Sequence, residues 1–178
     1  MILTLTGKLS HKLNDSLIID VSGIGYQVFV PQPTLIASTK NQTLSLWIHD
    51  HIREDARDLF GFSSESEFRL FRSLINVSGI GPKTALAMLA ADAKEVERRI
   101  DAGDVDWLTG VPGVGKKTAQ KIVLELKGKL VDPKAEDELT GALVSMGYHR
   151  DEAVRASSQA KGDTFEQRLK QSLKVLAR

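Results

Sequence analysis

The chain has 178 residues, 42% of them apolar, with 24 Lys and Arg set against 23 Asp and Glu for a net charge of +1. That balance supports real hydrophobic cores and excludes a polycation, so any anion binding has to be local. No apolar run approaches the roughly 18 residues of a membrane span, "MILTLTGKLSHKL" lacks a signal-peptide cleavage pattern, and the absence of cysteine excludes disulfides and thiolate metal sites; a cytoplasmic protein with no membrane partner is expected.

In chain order, residues 1–63 read as strands. "YQVFVP" alternates Tyr26, Val28 and Val30, and "LSLWIHDHI" alternates Leu44, Leu46 and Ile48. "VSGIGY" places glycines between two such runs and marks a tight turn; no helix follows, so it is not a dinucleotide fingerprint. About five short strands in this length predict a small closed barrel of OB type. From Ser64 the apolar period becomes helical. Ser64 and Glu67 offer a capping box ahead of Phe68, Phe71 and Ile75, and Asp92 with Glu95 offers similar chemistry before Val96 and Ile100. Ala119, Ile122, Val123, Leu126 and Leu130 share one face of a later helix. "VDPKAEDE", residues 131–138, predicts a linker. Beyond it three short helices are expected over 139–178, marked by Leu139, Leu143 and Met146, then Ala153 and Val154, then Phe165, Leu169, Leu173 and Leu176. By segment, residues 1–63 carry a net charge of −1, residues 64–131 carry +2, and residues 132–178 are neutral.

"GVPGVGKKTAQKIV", residues 110–123, nearly matches a nucleotide-binding P-loop. Gly110, Gly115 and Lys116 fit, but Lys117 stands where the magnesium-binding hydroxyl belongs and Thr118 comes one residue late. The upstream "DAGDVDWLT" is no buried strand either. The stretch has a better explanation in a repeat. "VSGIGPKTA" at 77–85 and "VPGVGKKTA" at 111–119 recur with an offset of 34 residues. Glycines in such a turn permit positive φ and leave N–H groups pointing outward, and a following helix adds its positive end. Ile80 and Val114 should plug each turn into the core. Two copies predict a cradle for the DNA backbone, formed by Ser78, Gly79, Gly81, Lys83 and Thr84 in one turn and by Gly113, Gly115, Lys116, Lys117 and Thr118 in the other. Pro82 lacks the N–H that Lys116 keeps, so the second turn should grip slightly harder. The tandem pair resembles the helix-hairpin-helix module, which holds DNA through the minor groove by its phosphates, without reading sequence.

Together with "REDARDLFGF" at 53–62, "GKKTAQKIVLELKGK" and "ALVSMGYHRDEAVRA", the repeat makes the chain similar to the bacterial RuvA family. The resemblance implies an α+β multidomain chain: a five-stranded OB-like barrel (1–63), a tandem helix-hairpin-helix domain (64–130), and a small three-helix domain of ubiquitin-associated type (139–178). It implies a Holliday-junction-binding subunit that acts in recombination and repair, is not itself an enzyme, and needs no cofactor or metal. The expected assembly is a homotetramer, singly or as an octamer on a four-way junction, with the RuvB hexameric ATPase as partner and RuvC resolvase as a looser one. Glu54 and Asp55 match the family's acidic pin, flanked by Arg53 and Arg57. Leu143, Met146, Tyr148, Leu169 and Leu173 are the expected RuvB-facing residues. The chain departs from the family at Leu3, where members commonly carry Gly, and in its short linker.

A second class, a hairpin-containing nuclease or glycosylase, would need a catalytic set. His49 and His51 alternate on a strand without a third ligand and read as surface histidines. Glu54 and Asp55 come nearest to a carboxylate cluster, but adjacent turn residues point apart.

Overall fold

Alternation along the first sixty residues builds a barrel. In a computed structural model, which describes residues 1–130, 138–160 and 164–176, strands β1 (Thr4–Lys12), β2 (Ser16–Val21), β3 (Ile24–Phe29), β4 (Thr43–Ile52) and β5 (Arg57–Phe62) close in the order β1-β2-β3-β5-β4. All neighbours are antiparallel except β3 and β5, which pair in parallel at Val28↔Leu59 and Phe29↔Phe60. Inward residues Leu9, Leu17, Ile19, Val28, Leu46 and Ile48 are at most 2% exposed, as the period-2 pattern requires. The expected turn in "VSGIGY" is a two-residue hairpin loop. Ser22 and Gly23 take φ of 54° and 88° between the paired Val21 and Ile24, the geometry that matches strand twist. Leu3 needs no glycine's freedom: its carbonyl accepts from Ile48 N at 2.8 Å and its side chain is exposed. A short helix α1 (Gln32–Ala37), too brief to show a helical period, puts Leu35 into the barrel core.

Strand β5 serves two cores at once. Leu59 faces the barrel, while Phe60 and Phe62 face a helical layer. Between them Gly61 is obligatory, since a Cβ there would lie 2.5 Å from Val28 Cγ1. On the helical side Phe71 of α2 (Glu65–Ile75) meets Phe62 at 4.7 Å and Phe60 at 5.4 Å between ring centroids. Each such pair adds about 0.5–1.5 kcal/mol to the area it buries. The capping box at the start of α2 is present. Ser64 Oγ accepts from Glu67 N, and Glu67 accepts from Ser64 N. The second expected box is only a cap: Asp92 accepts from Lys94 N, while Glu95 pairs with Arg98 and Arg99.

Four more helices complete this layer: α3 (Pro82–Met88), α4 (Ala93–Ala102), α5 (Val105–Thr109) and α6 (Lys116–Leu126). Arg99 of α4 bonds the Asp104 carboxylate at 2.7 Å, and Asp104 in turn caps α5 by accepting from Trp107 N. That chain of bonds sets the entry to the second glycine turn.

By internal packing the chain forms two compact units, Met1–Leu130 and Val131–Arg178. The linker predicted at 131–138 lies outside the described residues, apart from Glu138, which opens α7. In the second unit α7 (Glu138–Ser145), α8 (Arg150–Gln159) and α9 (Phe165–Leu176) surround Leu143, Ala153 and Ala156. Met146, Val154 and Phe165, read from the sequence as helix-core markers, are 55%, 46% and 43% exposed. Small residues, Ala153 and Ala156, are what α8 contributes to that core, with Tyr148, Leu169, Leu173 and Leu176 packed around it.

Candidate nucleic-acid interface

The two glycine turns are near copies. Gly79 and Gly113 have φ of +94° and +86°. Gly81 and Gly115, the N-caps of α3 and α6, have φ, ψ of −91°, 168° and −84°, 167°. In each turn the plug residue bonds back three positions, Ile80 N to Val77 O and Val114 N to Val111 O, both at 3.0 Å. Ile80 and Val114 are 6% and 5% exposed, as expected of plugs. Among the described residues, the N–H groups of Gly79, Gly81, Gly113 and Gly115 find no acceptor. In each turn two unpaired, exposed donors thus flank one paired N–H, and free backbone donors on one turn can face an anion.

Ser78, Lys83, Lys116 and Lys117 are exposed at the rims of these turns, and none has an ion-pair partner among the described residues. Thr84 and Thr118 sit differently. They are half-buried and face the neighbouring turn: a Cβ on Gly113 would lie 3.1 Å from Thr84 Oγ1, and one on Gly79 would lie 3.9 Å from Thr118 Oγ1. The two turns therefore adjoin across an approximate two-fold relation.

The acidic pair caps a hairpin. Glu54 and Asp55 are exposed at the turn between β4 and β5, closed by Arg53 N to Ala56 O at 2.8 Å. The flanking arginines are paired with other carboxylates. Arg53 bonds Asp58 at 2.7 Å, and Arg57 grips Asp50 with both Nε and Nη2, at 2.9 and 2.8 Å. Cross-strand pairing neutralises them and leaves the tip carboxylates uncompensated. Asp50, its side chain fully buried, also accepts from Ile2 N. The Arg57 hydrogen bonds hold its carboxyl down to about 2. These braces escaped the sequence reading, although the spacing of Asp50 and Arg57 about the turn would have shown them.

His49 and His51 are half-buried, not surface residues. His49 packs on Phe71 at 5.4 Å between the barrel and α2, and its Nε2 is buried without a partner. Burial, then the neighbouring His51 and Arg72, lower its pKa. His51 lines a 170 Å³ pocket with Arg53, Asp58, Gly81 and Lys83, so the strands leading to the acidic tip adjoin the first glycine turn. Among the described residues no group of three or more His, Asp or Glu gathers with metal-binding geometry.

In the C-terminal unit Leu143, expected to face the motor, is fully buried in the small core and presents no exposed surface of its own. Tyr148, Leu169 and Leu173 pack half-buried on that core, and Met146 projects beside Val144. No described helix is long and apolar enough to cross a membrane.

Residues 1–61 match the family described as RuvA N terminal domain, and residues 71–129 match the SAM-like helix-hairpin-helix tandem. Proteins named Holliday junction branch migration complex subunit RuvA align along the chain. That of Streptococcus agalactiae serotype V is 38% identical over 96% of both chains. The Citrifermentans bemidjiense protein is 39% identical over 99% of both, and that of Bdellovibrio bacteriovorus 42% identical over 83% of both. A barrel that ends in an acidic tip, two matched glycine turns, and relatives aligned almost end to end agree: the chain belongs to the RuvA family.

Proposed function

We propose that this chain binds four-way junction DNA, holding its phosphates in the two glycine turns, and serves as the non-catalytic subunit of a branch-migration complex in recombination and repair. The carrying observation is the pair of near-identical turns with unpaired N–H groups and free lysines. Both offer backbone donors and point charges, and neither presents a set of side chains that reads bases. Ser78, Gly79, Gly81 and Lys83 hold one phosphate run, and Gly113, Gly115, Lys116 and Lys117 the other. Lys116 keeps the N–H that Pro82 lacks, so the second run is held more tightly.

The barrel carries the pin. In a tetramer, or two on one junction, four copies of Glu54 and Asp55 meet at the symmetry axis and repel phosphate there, which disfavours continuous duplex across the centre. The three-helix unit binds the ATPase motor, with Met146 and Tyr148 at the contact; RuvB is the partner by family membership, and RuvC a looser one. Neutral charge in that segment argues against a DNA role for it. A cytoplasmic location suits a chain that works on DNA and has no cysteine.

Binding curves for a four-way junction and a linear duplex of the same sequence, at several salt concentrations, test this. Junction affinity should exceed duplex affinity at physiological salt, with log K falling linearly against log salt. Equal affinities would overturn it. Cleavage of the junction on adding magnesium would overturn the non-catalytic assignment in favour of a nuclease.

A further inference from the structure

Of the cradle residues read from the sequence, Thr84 and Thr118 are the two that are not exposed. They occupy equivalent places, 34 residues apart, each half-buried and each aimed at the first glycine of the opposite turn. Neither hydroxyl has a hydrogen-bond partner among the described residues. The glycines they face have positive φ, so both positions favour glycine for a conformational reason, and at Gly113 for space as well. Contact is closer on one side, with Thr84 Oγ1 and Cγ2 at 3.1 and 3.6 Å from a Cβ position on Gly113, against 3.9 Å for Thr118 on Gly79.

We propose that Thr84 and Thr118 are positioning residues that set the distance between the two phosphate cradles, and through it the groove width the chain accepts. This rests on the phosphate-holding reading of the turns. Close-packed protein feels the loss of even one methyl group, and a β-branched side chain has few rotamers. A threonine set close against a neighbouring turn, as Thr84 is at Gly113, is therefore a stiff spacer, and Thr118 holds the looser, equivalent place at Gly79. Two cradles held at one spacing can match only one groove width, and the minor groove of B-form DNA is narrow. The wide, shallow minor groove of an A-form helix separates its phosphate strands differently. The competing role is a direct hydroxyl-to-phosphate hydrogen bond, and the two roles depend on different atoms. A spacer needs the branched shape; a phosphate donor needs the hydroxyl.

The full-length protein is measured on a four-way junction with DNA arms and on one with RNA arms, for the wild type and for Val, Ser and Ala at both threonines. Thermal midpoints are taken for every variant. A spacer predicts that Thr84→Val with Thr118→Val keeps the wild-type ratio of DNA-arm to RNA-arm affinity. The Ala pair should reduce that ratio several-fold at an unchanged midpoint, with the Ser pair falling between. It also predicts that Thr84→Ala alone has the larger effect, since its contact is the closer one. Loss of binding in the Val pair with full binding in the Ser pair would overturn the proposal in favour of a phosphate donor, and a ratio unmoved by the Ala pair would overturn it outright. Lys116→Ala with Lys117→Ala is measured alongside. If that change leaves the salt slope intact, the cradle reading itself fails; if it lowers the slope by roughly two while the threonine variants do nothing, only the spacer fails.

Discussion

At the scale of single residues, position-specific strain separates the two glycine turns. Alanine at Gly79 or Gly113 is forced into left-handed backbone, at a cost of roughly 1–2 kcal/mol. At Gly113 the new methyl also meets Thr84 Oγ1 at 3.1 Å, whereas at Gly79 the nearest atom is at 3.9 Å. Gly113→Ala should therefore destabilise the fold more than Gly79→Ala in urea unfolding; equal losses would show that Thr84 yields freely. The histidine in the seam gives a pH dependence. Burial lowers the His49 pKa from 6.5, with help from His51 and Arg72 and against the opposing pull of Asp50. The unfolded chain then binds the proton more readily, so stability falls as pH drops below about 6.5. Thermal melts between pH 7 and 5 should show that loss, and His49→Phe, which keeps a ring against Phe71, should flatten it. Asp50 acts in a lower window. Its stabilising ionisation is complete above 3.8 and is lost as pH falls toward about 2.

At the scale of elements, the β4–β5 hairpin is built to hold charge at its tip. Arg53–Asp58 and Arg57–Asp50 tie its two strands together, and these pairs hold the arginines away from Glu54 and Asp55. If four tips meet at an axis, their charges act within the screening length of about 10 Å at moderate salt. Glu54→Gln with Asp55→Asn removes the repulsion and keeps the shape. Duplex affinity should then rise more than junction affinity, shrinking the ratio between them at one salt concentration. An unchanged ratio would leave the two carboxylates as ordinary turn residues. Arg57→Ala should act in the same region but in a different way: it frees Asp50, loosens the strand pair and lowers the melting temperature.

At the scale of the whole molecule, the first 130 residues form one compact unit. The aromatic cluster of Phe60, Phe62, Phe68 and Phe71 joins barrel to helices, so these two layers should unfold together. The last three helices hold a small core of their own around Leu143, Ala153 and Ala156. Deleting residues 136–178 should leave junction binding and the main unfolding transition unchanged while abolishing stimulation of the motor's ATP hydrolysis. Loss of junction binding in a truncation that still melts cooperatively would contradict that division of labour.

The amino-acid sequence by itself determined the elements and the repeat. Period-2 alternation from Tyr26 to Val30 and from Leu44 to Ile48 specifies strands, Ser64 with Glu67 specifies a helix start, and the glycine spacing in "VSGIGPKTA" and "VPGVGKKTA" specifies two like turns. These are local signals, set by backbone sterics and by neighbours a few residues apart. The tertiary structure decided what depends on distant contacts. Only folding brings His49 against Phe71 and turns a nominal surface histidine into a half-buried one. Only strand pairing commits Arg53 and Arg57 to Asp58 and Asp50 instead of to DNA, and only the packing of three short helices buries Leu143 while exposing Met146 and Val154. The contact of Thr84 with Gly113 belongs to the same class. Within each repeat threonine reads as one more phosphate donor, and its neighbour across the approximate dyad lies about thirty residues away in the chain, beyond the reach of any local pattern.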